Sequence, residues 1–149
     1  MDTSLTVRPL AAKDRSAWDE LWAIYLDFYG ATVSDEATEL TWRRVLRREQ
    51  GMGAIVACWD GEVVGLAHHV IHPTTWSTSD ACYLEDLVVH PDHRSKGVGR
   101  VLIEALELRA RELGCDSVYW ITQEGNAVAR RLYDRVASLS PFVRYEIEL

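Results

Sequence analysis

The sequence predicts an α/β or α+β sandwich built around a mixed sheet, and three observations support this fold class. Short β-prone stretches alternate with amphipathic helical stretches in the order β-α-α-β-β-β-α-β-α-β. Hydrophobic residues make up 48% and charged residues 26% of the 149 residues, which is typical of a globular core. No internal repeat or low-complexity linker interrupts the chain. We therefore expect residues 1–149 to form a single domain.

The first third of the chain predicts one short strand and two helices. Residues 3–8 are β-prone, and residues 9–14 supply a proline break and a polar helix start. Apolar side chains then recur at spacings of three and four as far as Gly30, which is the pattern of one buried helix face. Ser34 or Asp35 can cap a second helix of the same kind. The apolar residues that define the two faces are Trp18, Leu21, Trp22, Tyr25 and Phe28, and then Leu40, Trp42, Val45 and Leu46.

The middle of the chain predicts three strands. Residues 54–59 and 63–71 are apolar stretches on either side of the Asp-Gly dipeptide at residues 60–61, which favours a tight hairpin turn. Residues 73–80 are polar and rich in turn formers, so we expect a loop there. Residues 81–89 follow as the third strand.

The last third of the chain predicts a helix, a strand, a helix and a final strand. An apolar stripe begins at Val98, and Gly114 is well placed to end that helix. Residues 117–122 are rich in aromatic and β-branched side chains, which favour a strand. Residues 126–137 predict a helix, and residues 142–147 predict the final strand.

Charge and composition argue against several classes of function. The formal net charge of −7 argues against a nucleic-acid binder, which needs a surplus of Lys and Arg to neutralise phosphates. No apolar run approaches the ~20 residues that cross a bilayer, and residues 1–8 lack the pattern of a signal peptide, so we expect a cytoplasmic protein without a membrane partner. Cys58, Cys82 and Cys115 show no CxxC spacing, and we expect neither a disulfide framework nor a metal site.

Acidic residues dominate the middle of the chain. Between Arg48 and Arg94 there is no Lys or Arg, whereas adjacent carboxylates occur at Glu85 and Asp86. An acidic surface attracts cationic partners, and a merely solvated surface is the alternative interpretation. Neighbours on a strand point to opposite faces, so only one of the two carboxylates can face a cleft unless a bulge or splay intervenes. Because unpaired buried charge is costly, a cationic substrate, backbone amides or an arginine must satisfy them.

A basic loop with two glycines lies between a predicted strand and a predicted helix. It reads His-Pro-Asp-His-Arg-Ser-Lys-Gly-Val-Gly-Arg over residues 90–100. Glycines let the backbone approach a ligand, and free N–H groups at a helix start bind phosphate oxygens with help from the helix dipole. The loop is neither a Rossmann fingerprint nor a Walker loop, because the required third glycine and Gly-Lys-Ser/Thr are missing. The pattern predicts a pyrophosphate site at residues 94–100, which we call the phosphate cradle, with a flexible helix start as the alternative.

Two motifs in this order resemble those of the GCN5-related N-acetyltransferases, the GNAT family. Val-x-Pro followed by Arg-x-x-Gly-x-Gly, at residues 89–99, is similar to the family's acetyl-CoA-binding motif. Asn-x-x-Ala-x-x-Leu-Tyr, at residues 126–133, is similar to its downstream helix. Within the family, the likeness is closest to the spermidine/spermine and yeast Hpa-type acetyltransferases, through residues 83–87 and 118–120. The sequence departs from the usual pattern after Tyr133, which leaves the turn before the last strand undefined.

The resemblance implies a three-layer sandwich whose central mixed sheet splays open to hold acetyl-CoA. Strand backbone would pair with the pantetheine arm, the phosphate cradle would hold the pyrophosphate, and Asn126 would contact the cofactor from the other side. Tyr133 would be the general acid toward the thiolate, Glu85 would help to remove the amine proton, and Asp86 would aid recognition of the acceptor. The cofactor-binding residues implied in this way are Leu87, Val88, Val89, Arg94, Ser95, Lys96, Gly97, Val98, Gly99, Arg100 and Asn126.

The implied reaction is transfer of an acetyl group from acetyl-CoA to a primary amine by direct attack. The expected acceptor is a small cationic amine, polyamine or amino-acid-like, and acidic residues at Asp27, Asp35, Glu36 and Glu39 could line its entrance. An aminoglycoside, a lysine or N-terminal amine of a protein, and a non-catalytic acetyl-CoA sensor stay open as alternatives. No cysteine stands beside a recognisable His and carboxylate pair, which disfavours a covalent acetyl-cysteine route. A homodimer is a further expectation, because dimers are common among relatives.

Overall fold

Residues 4–149, described by a computed structural model, form one five-stranded sheet with four helices. Thr3, at the start of the first expected strand, lies outside the described residues. The strands are β1 (Leu5–Pro9), β2 (Met52–Trp59), β3 (Glu62–His72), β4 (Asp80–Val89) and β5 (Cys115–Tyr119). They lie in sequence order across the sheet. The pairs β1–β2, β2–β3 and β3–β4 are antiparallel, and the pair β4–β5 is parallel. The expected mixed sheet is confirmed.

The helices begin and end close to the local signals in the sequence. They are α1 (Arg15–Phe28), α2 (Asp35–Arg47), α3 (Val98–Glu112) and α4 (Ala127–Val136). Ser34 caps α2, because its hydroxyl accepts a hydrogen bond from the Ala37 N–H at 3.1 Å. Gly114 follows α3 with a φ of 81°, a left-handed conformation that favours glycine. The predicted cap and the predicted stop are both confirmed.

Helices cover both faces of the sheet and give it two apolar cores. On one face, α1 and α2 bury Trp18 and Leu21 against side chains of β2 and β3. On the other face, α3 buries Leu102 and Leu106 against β2, β3 and β4, and Tyr133 of α4 packs at the margin. Enclosing side chains of this size stabilises the fold by roughly 1.5–3 kcal/mol each. The three-layer α/β sandwich implied by the sequence is confirmed.

Strands β4 and β5 separate part-way along their length. Their pairing ends at Tyr83 opposite Tyr119, which is also the last residue of β5, so β5 is shorter than the predicted strand at residues 117–122. Residues 84–89, the second half of β4, therefore have an open backbone edge on the side of β5. The splay implied by the resemblance is confirmed, and it ends directly before the phosphate cradle.

The prediction of a final strand at residues 142–147 is wrong. Residues 137–149, which we call the tail, contain neither helix nor strand. Phe142, Tyr145 and Ile147 are 87 to 92% exposed. The alternating pattern that predicts a strand is present, but a strand also needs a hydrogen-bonded neighbour. The tail does not pair with β5, which is joined within the described sheet to β4 alone.

Within residues 4–149, we searched for disulfides, membrane-spanning helices and clusters of metal-binding side chains. Cys58, Cys82 and Cys115 are free cysteines. Burial raises the pKa of the Cys82 thiol to about 12, so this thiol is protonated at neutral pH. In this part of the chain, none of the helices has the length and apolarity that a membrane span requires. The same residues contain no cluster of three His, Cys, Asp or Glu side chains arranged to hold a metal ion.

Candidate active site

The phosphate cradle lies where β4 leads into α3. After Val89, one 3-10 turn at Pro91–His93 redirects the chain, and Gly97 precedes α3 with a φ of 82°. This φ favours glycine, and no atom lies within 4 Å of the place that a Gly97 Cβ would occupy. The first N–H groups of α3 have no acceptor within the helix. Free amides, open space and the positive end of the helix dipole together form an anion-binding surface.

The basic side chains of the cradle are exposed and make weak internal contacts. The Arg94 Nε–H donates to the Val89 carbonyl at 3.3 Å, and the Arg100 Nε–H donates to Glu104 at 2.8 Å. The Lys96 ammonium lies 5.7 Å from the centre of an aromatic ring on β2. Exposed contacts of this kind contribute at most about 1 kcal/mol to stability. The three cations are therefore free to turn toward a bound anion.

The other residues assigned to cofactor binding divide between the core and the loop. Val88 is buried under α1 and α2, whereas Leu87 and Val89 pack against the core under α3. The side chains of these three strand residues fill the two cores. Their backbone N–H and C=O groups therefore form the open edge of β4. Val98 is buried, and Ser95 is exposed with a left-handed φ of 61°.

Helix α4 packs beside the start of α3. A Cβ added at Gly99 would lie 3.4 Å from the Leu132 side chain, so the two helices approach closely there. Asn126 caps α4 with its amide oxygen, and its amide nitrogen bonds the preceding loop. Its side-chain oxygen accepts from the Ala129 N–H at 3.4 Å, and its NH₂ group donates to Thr122 at 3.3 Å. Asn126 therefore fixes the start of the helix that carries Tyr133.

Tyr133 is mostly enclosed between α4 and the core under α3. Its ring packs edge-on against Trp120, with ring centres 5.4 Å apart. Burial, with a smaller effect of the nearby Tyr29, raises the pKa of the Tyr133 phenol above its ordinary value. The phenol therefore keeps its proton at neutral pH, as a general acid must. Its ring also has the packing role expected of an aromatic residue at this position.

A β-bulge in β4 places both adjacent carboxylates on one face of the sheet. The register of β3 against β4 shifts after His68, so that Glu85 is an extra residue. Leu84 and Leu87, on either side of the carboxylates, both pack into the core under α3. Glu85 and Asp86 are therefore left to the opposite face, which α1 and α2 cover. The bulge that the sequence analysis required for this arrangement is present.

Glu85 is the unpartnered member of the pair. None of residues 4–149 makes a hydrogen bond or an ion pair with its carboxylate. Desolvation, followed by repulsion from Asp86, raises the pKa of Glu85, and the nearby His68 partly opposes this rise. A carboxylate without an internal partner, whose pKa is shifted toward neutrality, has the properties of a general base.

Asp86 is held by partners that the sequence analysis did not name. The His68 Nδ1–H donates to Asp86 at 2.9 Å, and the Trp18 Nε1–H donates to His68 Nε2 at 3.0 Å. Because an indole nitrogen can only donate, His68 carries its proton on Nδ1. Tyr25 lies near Asp86, and burial, followed by this negative charge, raises the pKa of Tyr25. A histidine therefore bonds Asp86, where a substrate, backbone amides or an arginine was expected.

The aromatic side chains of α1 form a row beside Asp86 that the sequence analysis assigned only to the core. Trp22 stacks on Tyr25 with ring centres 5.5 Å apart, and Tyr25 contacts Tyr29 at 4.9 Å. The Trp22 Nε1–H is buried and has no acceptor within residues 4–149. The spacing of these residues correctly predicts a helix face, and the tyrosine hydroxyls on it are the signal that polar partners lie opposite. That signal alone does not identify the partners.

The acidic residues of α2 do not form a free entrance for cations. Arg15 bonds Glu39 and also Asp19, the latter at 2.9 Å, so the charge of Glu39 is neutralised locally. Asp35 and Glu36 occupy the first turn of α2, where they complement the helix dipole. Of the acidic residues of α2, only Glu39 has an arginine partner within residues 4–149.

Known acetyltransferases resemble this chain in sequence and in fold. The family model described as acetyltransferase (GNAT) family matches residues 18–137. The D-amino-acid N-acetyltransferase of Saccharomyces cerevisiae is 35% identical over 95% of this chain and 89% of that protein. The aminoglycoside N(6')-acetyltransferase type 1 of Klebsiella aerogenes is 31% identical over 87% of this chain and 86% of that protein. The solved structure of the aminoglycoside N-acetyltransferase AAC(6')-Iy in complex with CoA aligns with a TM-score of 0.82 at 20% identity, covering 97% of this chain and 94% of that one.

Proposed function

The chain belongs to the acetyltransferase (GNAT) family, and we propose that it transfers the acetyl group of acetyl-CoA to the primary amine of a small cationic molecule by direct attack. One observation carries the proposal: the row of tyrosines on α1 links the two candidate proton-transfer groups. Tyr29, the residue after α1, lies near Tyr133 and contacts Tyr25, and Tyr25 lies near Asp86, the neighbour of Glu85. A protonated phenol and an unpartnered carboxylate thus lie at the two ends of one short row.

The donor side fits the two chemically distinct parts of coenzyme A. The phosphates match the amides of the α3 start, the open space at Gly97 and the exposed cations of the cradle. The amides of the pantetheine arm match the unpaired edge of residues 84–89, as a peptide matches a strand edge. Bound acetyl-CoA supplies the thioester carbonyl that the amine attacks.

Acetyl transfer to a protonated amine requires two protons to leave the nitrogen and one proton to be supplied to the sulfur. A primary amine with a pKa of about 10 arrives mostly protonated, and only its neutral form can attack. Glu85 takes that proton, directly or through a water molecule, before the neutral amine attacks. After the C–N bond forms, the nitrogen loses a second proton to solvent. Tyr133 gives its proton to the sulfur as the C–S bond breaks, and solvent then restores both groups.

The burial and the raised pKa values of the cysteine thiols favour direct attack over an acetyl-cysteine intermediate. Cys58 and Cys82 are buried, and burial keeps the Cys82 thiol protonated. Burial and the nearby Asp80 also raise the pKa of Cys115 on β5. A nucleophilic cysteine needs the opposite shift, toward the thiolate.

The acceptor that fits the site best carries positive charge. The names of the two relatives indicate D-amino acids and aminoglycosides as their acceptors, and both are amines. Here Glu85 and Asp86 supply negative charge, and no Lys or Arg occurs between Arg48 and Arg94 to offset it. We therefore expect polyamines, aminoglycosides and amino-acid-like amines to be acetylated in preference to neutral amines. A lysine or N-terminal amine of a protein is the alternative acceptor.

The experiment that tests this function measures release of free coenzyme A thiol with a panel of acceptors. The panel contains spermidine, an aminoglycoside, D- and L-lysine, a lysine-containing peptide and a neutral alkoxyamine. Turnover with the small cationic amines supports the proposal. Turnover with the peptide alone would show that the acceptor is a protein amine. Tight acetyl-CoA binding without any turnover would identify the protein as a sensor.

A further inference from the structure

A cavity of about 270 Å³ lies at the end of the sheet remote from the phosphate cradle. The end of α2, the start of β2, the end of β3 and the last turns of α3 enclose it, and we call it the basal cavity. Arg109, which lines it, lies eleven residues along α3 from Val98. At 1.5 Å per residue, this is roughly 16 Å from the cradle end of the helix. The basal cavity is therefore separate from the surface assigned to acetyl-CoA.

The walls of the basal cavity are mainly aliphatic. The side chains that line it include Leu10, Val45, Ile55 and Ile71. None of the described residues in the lining is Phe, Tyr or Trp, so the walls offer no flat surface for an aromatic ring. Sites for drug-sized ligands begin at roughly 300 Å³. The cavity therefore fits a smaller molecule with a compact, branched aliphatic body.

His69 is a buried polar side chain in the lining that has no partner. It is 6% exposed, and neither of its ring nitrogens makes a hydrogen bond to any of residues 4–149. A Cβ added at Gly53, its neighbour on β2, would lie 2.5 Å from the ring, so the glycine lets the ring lie against the strand. Burial, followed by the charge of Arg109, lowers the pKa of His69 to about 4. The ring is thus neutral at pH 7, with one N–H group to donate, and leaving that group unbonded is costly.

Two arginines with free guanidinium groups also line the basal cavity. Arg48 and Arg109 make no side-chain hydrogen bond or ion pair with the described part of the chain. Each lies at the carboxyl end of a helix, where the dipole favours a cation, but this position leaves their N–H donors unused. Asp80 is the one carboxylate among the described lining residues, so the cationic side chains outnumber it. Forked guanidinium donors match the two oxygens of a carboxylate.

We propose that the basal cavity is a second ligand site, which binds a small carboxylate with a branched aliphatic body. The carboxylate accepts hydrogen bonds from Arg48, Arg109 and the His69 ring, and the aliphatic body lies among the apolar walls. A simple branched-chain acid and a branched-chain amino acid share this chemistry. They differ in an ammonium group, for which Asp80 is the acceptor. The proposal is independent of acetyl transfer.

The first test measures the chemistry of the ligand by NMR titration of the ¹⁵N-labelled protein. The probes are 4-methylpentanoate, L-leucine and the neutral 4-methylpentanamide. We expect at least one of the two carboxylates to bind with a Kd of about 1 mM or tighter, and the amide to bind at least 10-fold more weakly. Tighter binding of 4-methylpentanoate would identify a simple acid as the ligand, and tighter binding of leucine would identify an amino acid. Equal affinity for the acid and its amide, or binding of neither carboxylate, would overturn the proposal.

A matched pair of variants locates the binding. Arg109→Gln removes one guanidinium group from the lining, and it should weaken binding of the better carboxylate at least about 10-fold. Arg111→Gln is the control: Arg111 follows on the same helix, pairs with Glu107 at 2.9 Å and is not part of the lining. This variant should bind as the wild type does, and thermal unfolding followed by circular dichroism shows that both variants are folded. Unchanged affinity in a folded Arg109→Gln protein would place the ligand elsewhere.

The glycine amides give a second measure of location that needs no variant. In the same titration, the better carboxylate should shift the signals of Gly51 and Gly53, which line the basal cavity. The signals of Gly97 and Gly99 in the phosphate cradle should stay in place. Shifts confined to the cradle would show that the carboxylate only occupies the anion-binding surface at the start of α3, and they would overturn the proposal.

Discussion

The proposed donor and acceptor sides of the open part of β4 are built by different means. On the donor side, the phosphate cradle offers backbone amides, open space at Gly97 and cations with weak internal contacts. On the acceptor side, Asp86 is bonded by His68, and Trp18 fixes His68 in turn. Within residues 4–149, the Glu85 carboxylate has no such partner. Substitutions in the cradle should therefore change ligand binding more than stability, whereas most substitutions on the acceptor side should change stability as well.

The largest expected effect belongs to Tyr133, which lies between the two sides. Tyr133→Phe keeps the ring against Trp120 and removes only the hydroxyl. We expect kcat to fall roughly 100-fold to 10,000-fold, the usual contribution of a general acid, with little change in acetyl-CoA affinity. Thiol-release kinetics and calorimetric titration measure the two quantities. If the variant is folded and has the wild-type kcat, then Tyr133 has only its packing role.

Asp86→Asn should lower the free energy of unfolding more than Glu85→Gln does, which distinguishes the roles of the two carboxylates. The amide removes a charged acceptor from His68, and loss of such a hydrogen bond costs about 1–3 kcal/mol of unfolding free energy. Glu85→Gln, which breaks no internal bond, should stay within about 0.5 kcal/mol of the wild type. Urea denaturation of the three proteins tests this. Equal stability of both variants would remove the distinction between the two residues.

A matched pair of glycine substitutions tests the donor side alone. Gly97 and Gly114 have φ values of 82° and 81°, and neither has an atom within 4 Å of its missing Cβ. Changing either to Ala should therefore cost similar backbone strain, about 1 kcal/mol. Only Gly97→Ala should also weaken acetyl-CoA binding, by roughly 10-fold, because the methyl group enters the space next to the helix start. Equal affinity of the two variants for acetyl-CoA would place the pyrophosphate elsewhere.

Ionic strength should have the smallest effect, and it should act on the acceptor side. Salt screens the attraction between the Glu85 and Asp86 charges and a polyamine, so kcat/KM for spermidine should fall several-fold between low and physiological salt. A neutral amine provides the control and should show no comparable fall. A salt response shared by both acceptors would assign the effect to acetyl-CoA binding instead.

The donor side could be predicted from the sequence because its signals are local. The glycines, the cations and the helix start of the cradle occur within residues 94–100, and the splay of β4 from β5 follows from the same family pattern. The cap at Ser34 and the stop at Gly114 were likewise readable from neighbouring residues. Local backbone chemistry of this kind is written in short stretches of sequence.

The acceptor side could be predicted only in part, because its contacts join distant residues. Trp18 and His68 are 50 positions apart, and no local pattern indicates that one would donate to the other. The bulge at Glu85 depends on the register of β3 against β4, which adjacent residues do not specify. The tail shows the same limit, because its alternation predicts a strand but does not say which surface will pair with it.

The most direct test of the account is the pH dependence of kcat for wild type and Glu85→Gln with spermidine as acceptor. Burial raises the pKa of Glu85, and its ionised form is the base, so wild-type kcat should rise with pH through this raised pKa and then level off. The Gln variant should have a lower kcat, should lack this rise, and should partly recover at higher pH, where more of the amine is already neutral. Identical pH profiles for the two proteins would contradict the claim that Glu85 takes the proton from the acceptor amine.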